Sequence, residues 1–353
     1  MKIRMLPLAI ASAMAAPGVV LAAGPTVYGK LNVAYGMSDV DYGYESIDPN
    51  SADRWELTSY DSRVGVSGDA AINDSLSAIY QIEWGVNVSD DSNEMSQRDR
   101  FVGLKGGFGT VRVGKFDTPL KKAQGKIDLF GDTSGDIKFV LVGENRVNNI
   151  LQYSSPDMGG LQANVAFMPG EEYETETDGD AKDGPADAFS LSLTYTMDGI
   201  YAAVAHDSEV SSRAYESIGT DFDLDRTSAA DMDVTRLVAV VNLDAFQVGA
   251  LYQMAETSDA DVDGDVEQDG YVLSASFKID AVKLKAQWGA STISDNDADV
   301  DTDAELLALG ADYGLSKQTN LYVHYTMASY ERDTDGAEEQ TADKLDFGIV
   351  HQF

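Results

Sequence analysis

From Val27 to Phe353 the chain repeats one arrangement, with apolar residues at every second position and polar or small residues between them. Leu76, Ala78, Tyr80, Ile82, Trp84 and Val86 alternate with Ser77, Ile79, Gln81, Glu83, Gly85 and Asn87. Phe189, Leu191, Leu193, Tyr195 and Met197 alternate with Ser190, Ser192, Thr194 and Thr196. The same holds from Tyr271 to Ile279 and from Val282 to Trp288. Successive side chains of a strand point to opposite faces, so each segment predicts a strand with one apolar and one polar side. Runs of about ten such residues suit a barrel that meets lipid outside and water inside. A soluble sandwich has shorter strands on average and a less hydrated second face.

The connections between these strands fall into two alternating classes. Short turns occur at Ile72-Asn73-Asp74, Gly106-Gly107, Ser155 to Gly160, Asp198-Gly199, Asp244-Ala245, Asp280-Ala281 and Gly314 to Asn320. Longer acidic or glycine-rich stretches lie between them at 38–54, 89–96, 117–145, 170–186, 207–232, 256–269, 294–303 and 331–342. Seven short and eight long connections join sixteen strands, with turns on one rim and loops on the other. The expected fold is all-β, a 16-stranded antiparallel transmembrane β-barrel in one domain, 24–353. Pairing of the first and last strands leaves no open edge, and sixteen strands enclose an aqueous lumen. Tyr35, Trp84, Tyr153, Tyr195, Tyr252, Trp288, Tyr313, Tyr325 and Phe353 fall on the apolar side, where an interfacial aromatic girdle is expected.

The closing stretch, Lys344 to Phe353, alternates to its last residue, with Leu345, Phe347, Ile349 and Phe353 on one side. Chain ends are usually frayed and polar, so this pattern predicts a strand sealed against Val27 to Tyr35 and facing lipid. At the other end, residues 1–23 read as a secretory signal peptide. Lys2 and Arg4 precede an apolar stretch broken by Pro7 and Pro17, and Val20-Leu21-Ala22-Ala23 suits cleavage after Ala22 or Ala23. No other window approaches the run of about 20 apolar residues that a membrane helix needs.

Composition narrows the functional classes. The chain has no cysteine, which removes disulfides and thiolate metal sites. Its formal charge is −35, and loss of Lys2 and Arg4 with the signal takes it to −37. Such a balance excludes a general nucleic-acid binder, which needs a basic face. The only histidines are His206, His324 and His351, with no serine elbow and no metal-ligand spacing beside them, so an enzyme is not expected.

Candidate pore chemistry lies in the inward-facing charges. Arg63 shares a face with Gly65 and Ser67, opposite Val64 and Val66. Arg98 and Arg100 lie opposite Phe101, and Glu83 shares the inward face with Gln81 and Asn87. A guanidinium facing mid-bilayer hydrocarbon costs roughly 2–4 kcal/mol, so the lumen is the expected side. The 117–145 connection is the longest, carrying Gly125, Gly131, Gly135 and Gly143 with the carboxylates Asp117, Asp128, Asp132, Asp136 and Glu144.

Several segments in order resemble the Gram-negative general-porin family: Val27-Tyr28-Gly29-Lys30-Leu31, Ser62 to Gly68, Arg100 to Lys105, Gly109 to Lys115, Arg146 to Pro156 and Phe353. The resemblance implies a trimeric barrel of the outer membrane, set among lipid and lipopolysaccharide, whose third loop folds inward and narrows the channel. It places a basic ladder on Arg63, Arg98 and Arg146, with Arg100 two positions further along, across from the third-loop carboxylates. Opposed rows of this kind create a transverse field that orients dipolar solutes and sorts ions. Lys115, Lys121, Lys122 and Lys126 depart from that pattern, since they precede or enter the loop. The resemblance also makes Phe353 a signal read by the barrel assembly machinery.

The acidic connections complete the picture. Glu171 to Asp183, Glu256 to Asp269 and Asp295 to Glu305 are crowded with carboxylates, which repel one another at low salt and are relieved by screening. Asp259-x-Asp261-x-Asp263-Gly264-Asp265 echoes the front of a calcium-binding loop but has Gly270 where a bidentate Glu belongs, so a solvated acidic face is the simpler expectation. The resulting expectation is a passive, cofactor-free channel for small hydrophilic solutes and ions with a mild cation preference. The alternatives are a solute-specific porin with a saturable site and a surface-displayed adhesin or receptor.

Overall fold

The computed structural model describes residues 24–41, 54–89, 95–170, 184–213, 230–259, 264–334 and 339–353, and the backbone of 215–218 and 224–226. The expected signal peptide lies outside the described residues, as do Asp261 and Asp263.

The wall starts with β1 (Thr26–Asp41), β2 (Arg54–Ser59) and β3 (Arg63–Asn73). Both β2 and β3 pair with β1, Val33 opposite Ser59 and Thr26 opposite Ser67, so they are two halves of one strand. The break between them holds Asp61 at φ 43, and the Ser62 hydroxyl accepts from the Asn32 N–H at 2.9 Å. Then come β4 (Leu76–Gly85), β5 (Ser96–Gly106), β6 (Gly109–Asp117), β7 (Arg146–Ser154), β8 (Leu161–Met168), β9 (Ala188–Met197) and β10 (Ile200–Ser212). A small hairpin, β11 (Tyr215–Ile218) with β12 (Leu224–Arg226), stands in the connection that follows.

The remaining wall is β13 (Ala230–Leu243), β14 (Phe246–Thr257), β15 (Val266–Ile279), β16 (Val282–Asp295), β17 (Val300–Gly314), β18 (Thr319–Arg332) and β19 (Gln340–Gln352). Each neighbour pairs antiparallel with the next, and β19 returns to β1 with Leu31 opposite His351. With β2 and β3 counted once, sixteen strands close the barrel. Closure pairs the backbone groups of every strand, which hydrocarbon demands because it supplies no competing hydrogen bonds. The seam ends at Phe353, whose N–H and C=O exchange hydrogen bonds with Gly29 at 3.1 and 2.9 Å. Its ring occupies the space that a Cβ on Gly29 would need.

Burial is inverted relative to a soluble protein. Leu191, Leu193 and Tyr195 are exposed, whereas Ser190 and Ser192, which alternate with them, are buried. The short turns form where they were expected. At one of them, Asp198 (φ 50) and Gly199 (φ 81) both take the left-handed conformation that a two-residue hairpin turn requires.

Two expected loops are corrected, and the first is 207–232, which carries the end of β10, the β11–β12 hairpin and the start of β13. The second, 294–303, is mostly strand: β16 runs to Asp295 and β17 resumes at Val300, leaving four residues at the tip. Asp301, Asp303 and Glu305 stand exposed on the outer face while Thr302, Ala304 and Leu306 turn inward. Strict alternation lets the wall continue upward, and the acids sit on its hydrated flank. From β13 to β19 the strands have 12 to 15 residues, against 8 to 11 from β3 to β9.

Candidate channel constriction

The connection after Asp117 turns into the barrel instead of capping it. Thr118 accepts from the Lys121 N–H and Pro119 occupies the first turn, which starts the short helix α1 (Pro119–Ala123). Beyond it the chain runs along the inner face of the wall and is held by inward side chains at nearly every step. Ser190 Oγ accepts from Leu120 N at 3.1 Å, and Tyr201 Oη donates to Ala123 O at 2.8 Å. Gln287 accepts from Leu129 N at 2.8 Å and donates to Gly135 O at 2.9 Å. Ser134 donates to Asp346 at 3.2 Å. On the return, Gln268 Oε1 accepts from Val142 N at 2.9 Å, Gln253 donates to Val142 O at 3.0 Å, and Arg236 pairs with Glu144 at 2.7 Å.

An apolar seat explains this course. Leu120, Ile127, Ile137, Val140, Leu141 and Val142 of the loop form one buried cluster with inward-pointing Val234, Val238, Leu251, Val272 and Leu306. These wall positions are apolar on the face that water would otherwise fill. The inward-folded third loop expected from the resemblance therefore exists, and it lies along β9–β19.

The opening is left on the other side. A space of about 410 Å³ lies between the loop and the β3–β7 wall, with Arg98, Arg146 and Asp61 on the barrel side. Lys121, Asp128, Asp132, Asp136, Lys138 and Glu144 face it from the loop. A chain of ion pairs runs along its border. Asp132 Oδ2 accepts from Lys30 Nζ at 2.7 Å and from Arg63 at 2.9 Å. Glu83 lies 3.9 Å from Arg63 and 2.7 Å from Arg98, which also reaches Asp61 at 2.6 Å. Arg146 meets Asp99 at 2.6 Å and Asp117 at 3.1 Å, and Lys122 meets Asp117 at 2.7 Å.

These contacts set the charge state of the loop. Burial opposes ionisation of Asp132, but Lys30 and Arg63 together hold its carboxyl well below the usual carboxylate range. Asp128 is pushed up to about 8, first by burial and then by the neighbouring charge of Asp136. Asp136 spends its two oxygens on the loop itself, accepting from Lys138 N and Asp132 N at 2.9 Å each.

Arg63, Arg98, Arg146, Glu83, Asp117, Asp128, Asp132 and Asp136 are thus brought together at one level of the lumen. Arg100 is not, which corrects the sequence reading. The β4–β5 register slips between Ile82/Arg100 and Trp84/Gln97, so Arg98 and Asp99 together oppose Glu83. That extra residue shifts the alternation: Phe101 turns inward onto Phe116, and Arg100 joins exposed Val102 and Leu104 outside. There its guanidinium lies 5.7 Å from the Trp84 ring, and Lys115 is its direct cross-strand neighbour. Lys30, Asp61, Asp99 and Lys138 complete the site without having been singled out, together with Glu144, which the sequence reading named among the loop carboxylates. Lys30 was findable, because it shares its face with buried Asn32 and Ala34. Around Asp259 and Asp265, the described residues hold no group of three metal-ligating side chains.

The sequence model of the Gram-negative porin family matches residues 9–333. The chain belongs to that family. The porin is 23% identical over 360 residues to the major outer membrane protein P.IB of Neisseria sicca, covering 98% of this chain and 99% of that one. Among solved structures, the anion-selective porin of Comamonas acidovorans superposes with a TM-score of 0.72 at 21% identity, covering 94% and 99% of the two chains. OmpF of Salmonella typhi, solved with daunomycin, gives 0.66 at 16% identity over 93% and 97%. The trimer form of OmpT from Vibrio cholerae gives 0.66 at 17% over 94% and 99%. The porin is a non-enzymatic channel of the Gram-negative outer membrane.

Proposed function

We propose that this porin is a general diffusion channel for small hydrophilic solutes and ions, with a mild cation preference set at its outer mouth. One observation carries the reading: five carboxylates and four cations line the open space at the constriction, a near-balance that burial of Asp128 brings closer by favouring its protonated form. So small a net charge there leaves selectivity to the acidic outer rim, which includes exposed Glu267, Asp269, Asp301, Asp303 and Glu305. Such a rim concentrates cations before they enter. Reversal potentials in planar bilayers under a salt gradient test this, with a permeability ratio modestly above one for potassium over chloride expected. Anion selectivity, as the Comamonas protein's name describes for that porin, would overturn it.

The working unit is a homotrimer. Arg100 and Lys115 each stand six residues above a periplasmic turn, about 14 Å up at strand rise and tilt typical of barrels. That is hydrocarbon depth, where an unpaired cation is costly, and Arg100 Nε is buried without a partner. A neighbouring subunit against the short β3–β6 wall relieves both charges. Residues 1–23 are the export signal, removed to leave 24–353. Phe353, locked on Gly29, serves recognition by the assembly machinery, and the outer-membrane lipid and lipopolysaccharide surround the remaining wall.

A further inference from the structure

Beneath α1, on the periplasmic side of the constriction, the lumen widens into a chamber of about 570 Å³. Its roof is Pro119, Lys122, Ala123 and Gly125, and its walls are inward positions of β4 and β6–β10. Among the described residues, no carboxylate lines it. Its one cation without an ion-pair partner among the described residues is Arg112, because Lys122 is held by Asp117.

Arg112 is confined by two aromatic rings. Its guanidinium carbon lies 4.0 Å from the centre of the Phe116 ring and 5.3 Å from that of Phe101, and these two rings meet edge to face. One of its N–H groups donates to Gln152 Oε1 at 3.0 Å. That bond sets the amide orientation and starts a directional relay. Gln152 Nε2 donates to Ser154 Oγ at 2.9 Å and lies 3.5 Å from Asn164 Oδ1, and Asn164 Nδ2 donates to Ser192 Oγ at 3.1 Å. With their oxygens used as acceptors, the Ser154 and Ser192 hydroxyl hydrogens are left to be offered to the chamber. Thr194, Thr196 and Tyr201 continue the hydroxyl lining.

One guanidinium that makes no ion pair among the described residues, with Asp99 and Asp117 acting on it only through space, stands next to a row of amides and hydroxyls and matches a solute with one carboxylate and several hydroxyls. We propose that this chamber binds monoanionic polyhydroxylated acids such as uronates and aldonates. The carboxylate is held by Arg112, and the sugar hydroxyls lie along Gln152, Asn164 and Ser192. A planar guanidinium takes a carboxylate through two parallel bonds, which a lysine cannot do. The inference rests on the channel reading above and adds a holding site on the exit path.

The test is ion-current noise and block in planar bilayers, with sodium glucuronate added on the periplasmic side and glucose and acetate as partial analogues. Saturable block by glucuronate is expected, at least tenfold tighter than by glucose or acetate, and at least tenfold weaker in R112Q. Asn164→Leu, which keeps the cation and breaks the relay, should weaken block severalfold and serves if R112Q fails to insert. A porin that conducts but is not blocked overturns the site alone. Block that R112Q and Asn164→Leu leave unchanged, or that glucose reproduces, does the same. A protein that does not conduct overturns both readings.

Discussion

Asp132 reaches two cations on two strands with a single oxygen, and this sharing decides what the constriction presents to an ion. Asp132→Asn removes the charge and keeps the shape, leaving Lys30 and Arg63 partly unneutralised. Permeability should move toward anions by about twofold or more in reversal-potential measurements, since fixed charge in a confined, low-dielectric passage acts strongly. Asp128 gives the opposite lever. Burial and the charge of Asp136 push its carboxyl up to about 8, so it is largely protonated at pH 7 and adds a negative charge beside the passage as pH rises. Cation preference should therefore increase between pH 7 and 9, and Asp128→Asn should abolish that increase. At this scale Arg63, Arg98 and Glu83 were legible, because a two-residue alternation assigns them to the water-filled face. Arg100 was misassigned because the assignment assumes an unbroken register. One extra residue opposite Glu83 reverses the count, and nothing within the β5 sequence announces it.

The third loop is the element on which both the narrowing and the packing depend. Ile137 is fully buried between loop and wall, and truncation to alanine at such a site costs about 2–5 kcal/mol. Ile137→Ala should lower the temperature at which the barrel loses its β-sheet circular dichroism signal, with little change in the charges at the eyelet. Replacing the loop tip, 127–136, by a short flexible link should raise single-channel conductance, and an unchanged value would mean that the tip does not border the passage. The loop's length and glycines were visible in the sequence, and the family resemblance gave its inward course. Its seat was not visible. In β13 the run Leu237-Val238-Ala239-Val240-Val241 is apolar on both faces, which reads as a lapse in alternation until the loop is seen lying on it.

At the scale of the whole molecule, the wall has a sector of short strands and a sector of long ones, and Arg100 and Lys115 stand on the short sector. A double reversal, R100E with K115E, should disperse the oligomer on native gels and in crosslinking while each barrel keeps its resistance to proteolysis. A persisting trimer would move the interface elsewhere on the wall. Strand number, closure and the side of each turn were legible, because lipid forbids unpaired edges and lets only a few patterns through. The unequal wall heights were less so, since acids such as Asp301 and Asp303 read as loop when they are the hydrated flank of a longer strand.

The third loop is fastened to β1 and β3 by Asp132, to β9 by Leu120, to β14 and β15 by Val142, to β16 by Leu129 and Gly135, and to β19 by Ser134. A sixteen-strand hoop has little intrinsic resistance to being squeezed into an ellipse, because its ladder bonds tolerate changes of curvature. Spokes from one strut to opposite sides of the rim remove that freedom. The segment that restricts the bore is also what keeps it round, so the aperture should hold its cross-section under lateral pressure that would flatten an empty tube.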